Sequence, residues 1–135
     1  MEQVLMNGIT IGAIAAVGIG AAVGAWVRWG LGLFLNVLHP TMPIGTLIAN
    51  LVGGYLMGLA MGLFAFNTPS LELRLLITTG FLGGLTTFSA FSAEAVDLIQ
   101  HNEYGWALLH VSSHVLGSLL MTALGLMTIQ WIRGH

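Results

Sequence analysis

The chain has 135 residues, of which 56% are hydrophobic and only 6% charged, and its mean hydropathy is +0.92; an average soluble domain is about 25% charged. A net charge of -2, with three arginines and no lysine, excludes a basic surface for nucleic acid. The absence of cysteine excludes a disulfide framework and thiolate metal sites.

Four runs carry no Asp, Glu, Lys or Arg: Gln3–Val27, Trp29–Leu71, Leu75–Ala93 and Tyr104–Ile132. A membrane-spanning helix needs about 20 mostly apolar residues. These runs predict an all-α integral membrane protein, a single membrane domain over residues 1–135 with spans at about 6–34, 45–66, 72–99 and 104–132. The N-terminus lacks a basic leader and its apolar stretch is long, so it is expected to stay as the first span. Four such helices enclose little, so a homo-oligomer, most simply a dimer, is expected.

The first span carries Gly8, Gly12, Gly20 and Gly24, the last two in a small-xxx-small pattern from Ala16 that favours close helix packing. Arg28 lies between Trp26 and Trp29, which fits an interfacial anchor or a cation at the mouth of an anion path. Pro40 and Pro43 mark the first turn, and His39 reads as a solvated loop residue. Gly54, Gly58 and Gly62 form a smooth ridge on the second span, read as packing. Asn50 is a strongly polar group in an apolar run. It must find partners, either on another helix or in a permeating anion. In the second turn, Thr68 or Ser70 is placed to cap the next helix, with Glu72 in its first turn.

The third span is the unusual one. Gly80, Gly83 and Gly84 fall close together among Thr78, Thr79, Thr86, Thr87, Ser89 and Ser92, with Phe88 and Phe91 three apart. Glycine weakens a helix, and hydroxyls replace hydrogen bonds that a break leaves open. A discontinuous helix, broken near its middle at Gly83–Thr87, is predicted at a functional centre. Glu94, followed by Asp97, lies near the exit of this span and reads as a solvated vestibule residue.

On the fourth span His114, Ser118 and Thr122 share one face, which serves as interhelical glue or as a path lining. His110 and His114 have the i, i+4 spacing of a metal pair. The sequence places no third ligand beside them, so they read as hydrogen-bonded structural histidines. Arg74 and Arg133 lie on one side of the membrane and Arg28 toward the other, a weak bias that permits insertion both ways round.

GFLGGLTTFSAFSAE (80–94) resembles the signature of the Fluc, or CrcB, fluoride channels, and the likeness extends over nearly the whole chain through GAWVRW (24–29), GTLIANLVGG (45–54) and HVLGSLLMTALG (114–125). The resemblance implies a fluoride-selective channel that passively exports cytoplasmic fluoride across the cell inner membrane. It further implies an antiparallel dual-topology homodimer with two pores and a central structural Na+ that is not transported. By the same resemblance, backbone carbonyls of Gly83 and Thr86 hold the sodium. Asn50, Phe88, Phe91, Ser118 and Thr122 fall on the pore, and Arg28 and Glu94 near the vestibule and pore ends. Ala90 stands where relatives often carry Thr or Ser, which leaves one hydroxyl fewer beside the Phe pair.

The residue types suit such an ion. A small, tightly hydrated anion needs donors in place of its water. Asn50 has amide N–H groups, Ser89, Ser92, Ser118 and Thr122 have hydroxyls, and Phe88 and Phe91 offer positive ring edges. No nucleophile–base pair or cofactor motif marks an enzyme. The alternatives are a small dual-topology multidrug or cation exporter and a structural subunit without transport. An exporter needs a membrane-embedded carboxylate, and the first, second and fourth spans have none.

Overall fold

The computed structural model describes residues 9–134 and is all-helical. Residues 6–8, including Gly8, where the first span was expected to begin, lie outside the described residues. Helix α1 (Ile11–Leu35) continues into a 3-10 turn, Asn36–Leu38, and α2 is Ile44–Phe66. The third span is built from α3 (Leu71–Leu75), a π-helical stretch Leu76–Leu82, the single turn α4 (Gly83–Leu85) and α5 (Phe88–Gln100). Helix α6 is Tyr104–Arg133. Among the described residues, four helical segments are long and apolar enough to cross a membrane: Ile11–Leu38, Ile44–Phe66, Leu71–Gln100 and Tyr104–Arg133.

Local chemistry sets the helix starts. Thr10 Oγ1 accepts the Ala13 N–H (2.9 Å) to begin α1, and Ser70 Oγ accepts the Leu73 N–H (3.2 Å) to begin α3. Asn36 Oδ1 accepts the Gly45 N–H (2.7 Å) and ties the first turn to the start of α2. His39 is not the solvated loop residue expected. Its Nδ1 accepts the N–H groups of Thr41 and Met42, and its ring packs on Trp106 at 5.0 Å.

Glycine determines how the helices meet. The Gly54–Gly58–Gly62 ridge of α2 lies along α6, where a Cβ at Gly54 would sit 3.0 Å from the Ser118 carbonyl and one at Gly62 would sit 2.7 Å from Ile129. Gly58 and Gly125 face each other at the crossing, and a side chain on either would run into the opposite backbone. Gly20 and Gly24 of α1 do the same against the π-helical stretch and α4, opposite Gly80 and Leu85. The third span is therefore clamped on α1 by small residues. A compact core of Ala49, Leu82 and Leu85, flanked by Leu56, Met57 and Phe81, fills the space between α2 and the break. Large apolar side chains cover the outer surface, as a lipid-facing bundle requires.

Candidate functional site

The helix stops at Thr86 and restarts at Phe88. Thr86 (φ -86, ψ 156) and Thr87 (φ -151, ψ 121) are extended. Thr87 Oγ1 accepts the Ala90 N–H (3.1 Å), which makes it the N-cap of α5. Upstream, the Thr86 hydroxyl donates to the Leu82 carbonyl (2.8 Å) and closes the end of α4. Each side of the interruption is thus finished by a hydroxyl. The π-helical stretch that precedes it had no counterpart in the sequence reading; such segments recur at functional sites.

Asn50 holds the gap open. Its Oδ1 accepts the Thr87 N–H (2.7 Å) and its Nδ2 donates to the Thr87 carbonyl (3.0 Å). Nδ2 also lies 3.0 Å from His114 Nδ1. Of the two roles the sequence left open, the structure uses the amide to bind another segment of the chain. From the other side Arg28 Nε donates to the Gly84 carbonyl (3.0 Å). A cation at the carbonyl end of a short helix is favourable.

The three glycines of the break separate by role. Gly80 and Gly84 press against α1, where added side chains would meet backbone. Gly83 is exposed, and a Cβ there would find only the Thr78 carbonyl at 3.7 Å. The i+4 donors for the carbonyls of Gly83 and Thr86 are the N–H groups of Thr87 and Ala90. These are engaged by Asn50 Oδ1 and Thr87 Oγ1. Both carbonyls are therefore released from the helical pattern.

Beside the break runs an open cavity of about 490 Å³, lined by Asn50, Gly83, Thr86, Phe88, Phe91, His114, Ser118 and Thr122, with apolar walls from Met57, Leu82 and Leu119. Of the residues expected on the pore, Ser89 and Ser92 are not part of this lining, and neither are Arg28 and Glu94, which were expected near the vestibule and pore ends. Ser92 Oγ donates to the Phe88 carbonyl (2.8 Å), and Ser89 Oγ lies 3.3 Å from Thr87 Oγ1. Thr122 donates its hydroxyl to the Ser118 carbonyl (2.9 Å).

The two phenylalanines are unlike. Phe88 is 78% exposed at the rim, whereas Phe91 is 8% exposed. Their rings lie 5.4 Å apart at 57°. Phe91 also packs on His110 (5.4 Å) and His114 (4.8 Å), whose own rings are 4.4 Å apart.

Glu94 corrects the sequence reading. It is not a solvated vestibule residue, because its side chain is only 20% exposed. Its Oε1 accepts the Thr46 hydroxyl (2.7 Å), and its Oε2 lies 3.5 Å from His110 Nε2. The turn-by-turn period of α5 puts Glu94 on the same face as Phe91, toward α6, and this face is not visible from distance to the helix end. Thr46 was not singled out from the sequence, and the histidines were read as structural; their i, i+4 spacing was the available signal.

A family model described as CrcB-like protein, Camphor Resistance (CrcB), matches residues 15–126. The chain is 59% identical over 124 residues to a protein of Pseudomonas putida (strain W619) named fluoride-specific ion channel FluC, covering 90% of this chain and 97% of the relative. It is 64% identical over 115 residues to the protein of that name from Cupriavidus pinatubonensis (strain JMP 134 / LMG 1197), covering 84% and 90%. With that of Acinetobacter baumannii (strain SDF) it shares 48% over 122 residues, covering 90% and 97%.

Proposed function

Since the chain belongs to the CrcB-like family, whose relatives carry the name of fluoride-specific ion channels, we propose that it is a multi-pass membrane channel that lets fluoride leave the cell passively. It is a channel protein and not an enzyme. The observation that carries the reading is the cavity itself: an interrupted helix, the Phe88–Phe91 pair and the Ser118–Thr122 face of α6 meet in one groove.

In that groove fluoride exchanges water for weak, distributed donors. Asn50 positions the break and orients the start of α5, whose first N–H groups carry the positive end of the helix dipole. Ser118 contributes a hydroxyl from α6, and the Phe88 and Phe91 ring edges present positive charge without a formal cation. Binding by such groups is shallow enough to let the ion go. The exporter alternative is not favoured, because the relatives carry the name of fluoride-specific ion channels.

The finer reading is a homodimer of antiparallel subunits with two pores. Its support is the exposure of Phe88 and Gly83, which face out of a single chain and gain cover from a second copy. A cysteine placed at the C-terminus should be labelled from both membrane faces; labelling from one face alone excludes the antiparallel arrangement. The released carbonyls of Gly83 and Thr86 are hard oxygen donors that fit Na+ at the join between subunits. When bound, sodium supplies a fixed positive charge near the anion path.

Purified protein in liposomes tests the reading. Fluoride efflux should proceed without a proton gradient and chloride efflux should not. Phe88→Ile and Phe91→Ile, which remove the ring edges but keep an apolar side chain, should each slow fluoride efflux by at least about tenfold, the loss expected for one electrostatic contact of roughly 1.4 kcal/mol. Undiminished efflux in both variants removes the rings from the pathway.

A further inference from the structure

Beneath Phe91, three residues from two helices converge. Glu94 of α5 and His110 and His114 of α6 each offer one ligand atom, and these atoms all lie within 4.8 Å of one another. His110 and His114 are 0% and 4% exposed. Glu94 is the third ligand that the i, i+4 histidine pair lacks in the linear sequence.

Each of the three also has one buried atom without a hydrogen-bond partner: Glu94 Oε2, His110 Nδ1 and His114 Nε2. Buried polar atoms are normally paired, because leaving one bare costs about 1–3 kcal/mol. Thr46 donates to Glu94 Oε1 (2.7 Å) and His114 Nδ1 faces Asn50 Nδ2 (3.0 Å), while His110 Nε2 lies between the Phe91 carbonyl (3.3 Å) and Glu94 Oε2 (3.5 Å). Glu94 and His114 are thus each fixed by a neighbour through one atom and keep the other without a hydrogen bond, and His110 already turns Nε2 toward the free carboxylate oxygen, which is how metal ligands with their outer shell in place are arranged.

We infer that Glu94, His110 and His114 form a site for a borderline divalent cation such as Zn2+, which closes the anion path when occupied. Two imidazoles and one carboxylate are a donor set that zinc favours and alkali cations do not, so the site is separate from the carbonyls of Gly83 and Thr86. Tetrahedral zinc spaces its ligands by roughly 3.3 Å, so side-chain rotations of about an ångström complete the set. His114 lines the cavity, which supplies the route in. The metal takes the Nε2 lone pair, and the His114 proton then moves to Nδ1. Asn50 must turn its amide oxygen to that proton, and it releases the Thr87 N–H in doing so. Occupancy thereby plugs the groove and loosens the clamp on the break.

The block rests on the channel reading; the binding does not, and the two are measured separately. Titration calorimetry of the full chain in detergent with ZnCl2 should give one ion per subunit, weakened at least tenfold by Glu94→Gln and by His110→Gln and unchanged by His101→Gln on the exposed turn. Wild-type protein with Co2+ should develop the visible absorption of a tetrahedral ion, a readout that needs no variant. In liposomes, Zn2+ should slow fluoride efflux at least tenfold, and EDTA should restore it. Absence of stoichiometric Zn2+ binding to the wild type, or binding untouched by both site variants, overturns the site. Binding without slowed efflux overturns the block. Absence of fluoride efflux before any Zn2+ is added contradicts the channel reading and leaves the calorimetry to decide the site.

Discussion

Asn50→Ala should reduce fluoride efflux by between one and four orders of magnitude while the four helices remain. The amide is the clamp between α2 and the interruption, and alanine leaves both the N–H and the carbonyl of Thr87 without it. The two half-buried backbone groups left bare cost up to about 2–6 kcal/mol together, and each 1.4 kcal/mol is tenfold. The loss falls on the geometry of the groove, because Thr87 is also the cap of α5 and sets where that helix begins. Far-ultraviolet circular dichroism should be nearly unchanged, whereas the efflux rate collapses. Asn50→Ala efflux equal to the wild type contradicts the clamp.

Gly58→Val should prevent formation of a monodisperse protein. Gly58 meets α6 backbone to backbone: its Cβ would collide with the Thr122 carbonyl and approach Leu126 N within 2.8 Å and Gly125 Cα within 3.0 Å. Overpacking a core costs typically 1–3 kcal/mol when side chains can move aside. Here the obstructing atoms are backbone, so the helices must separate, and Ser118 and Thr122 leave the groove with them. Gly18→Val is the comparison, since nothing lies within 4 Å of a Cβ there within the chain. Size-exclusion profiles in detergent should show aggregation for Gly58→Val and a single peak for Gly18→Val.

Both outcomes depend on features of unequal visibility in the sequence. The spans were legible because charge is so scarce that its positions, Glu2, Arg28, Glu72, Arg74, Glu94, Asp97, Glu103 and Arg133, bracket the apolar runs. The break was legible because glycine and hydroxyl residues crowd one segment, and the structure interrupts the helix at Thr86 and Thr87 within it. The GFLGGLTTFSAFSAE segment carries the family likeness, and the match over residues 15–126 agrees with it.

Partner choice was hidden. Asn50 reaches across 37 positions to Thr87 and 64 to His114. Thr46 reaches 48 positions to Glu94, and Arg28 reaches 56 to Gly84. Glu94 looked solvated because proximity to a helix end is a one-dimensional measure, while burial depends on the face that turns toward α6.

By itself, the sequence determined the class of the protein, its four spans and the place where the third one fails, because hydropathy, charge and backbone freedom are properties of each residue and its near neighbours. Only the tertiary structure decided that Asn50 is spent on Thr87, that Gly80 and Gly84 pack while Gly83 stays open, and that Glu94 joins two histidines. Those outcomes depend on which faces of separate helices meet, and that is set by the close approach of glycine ridges that the linear order does not pair.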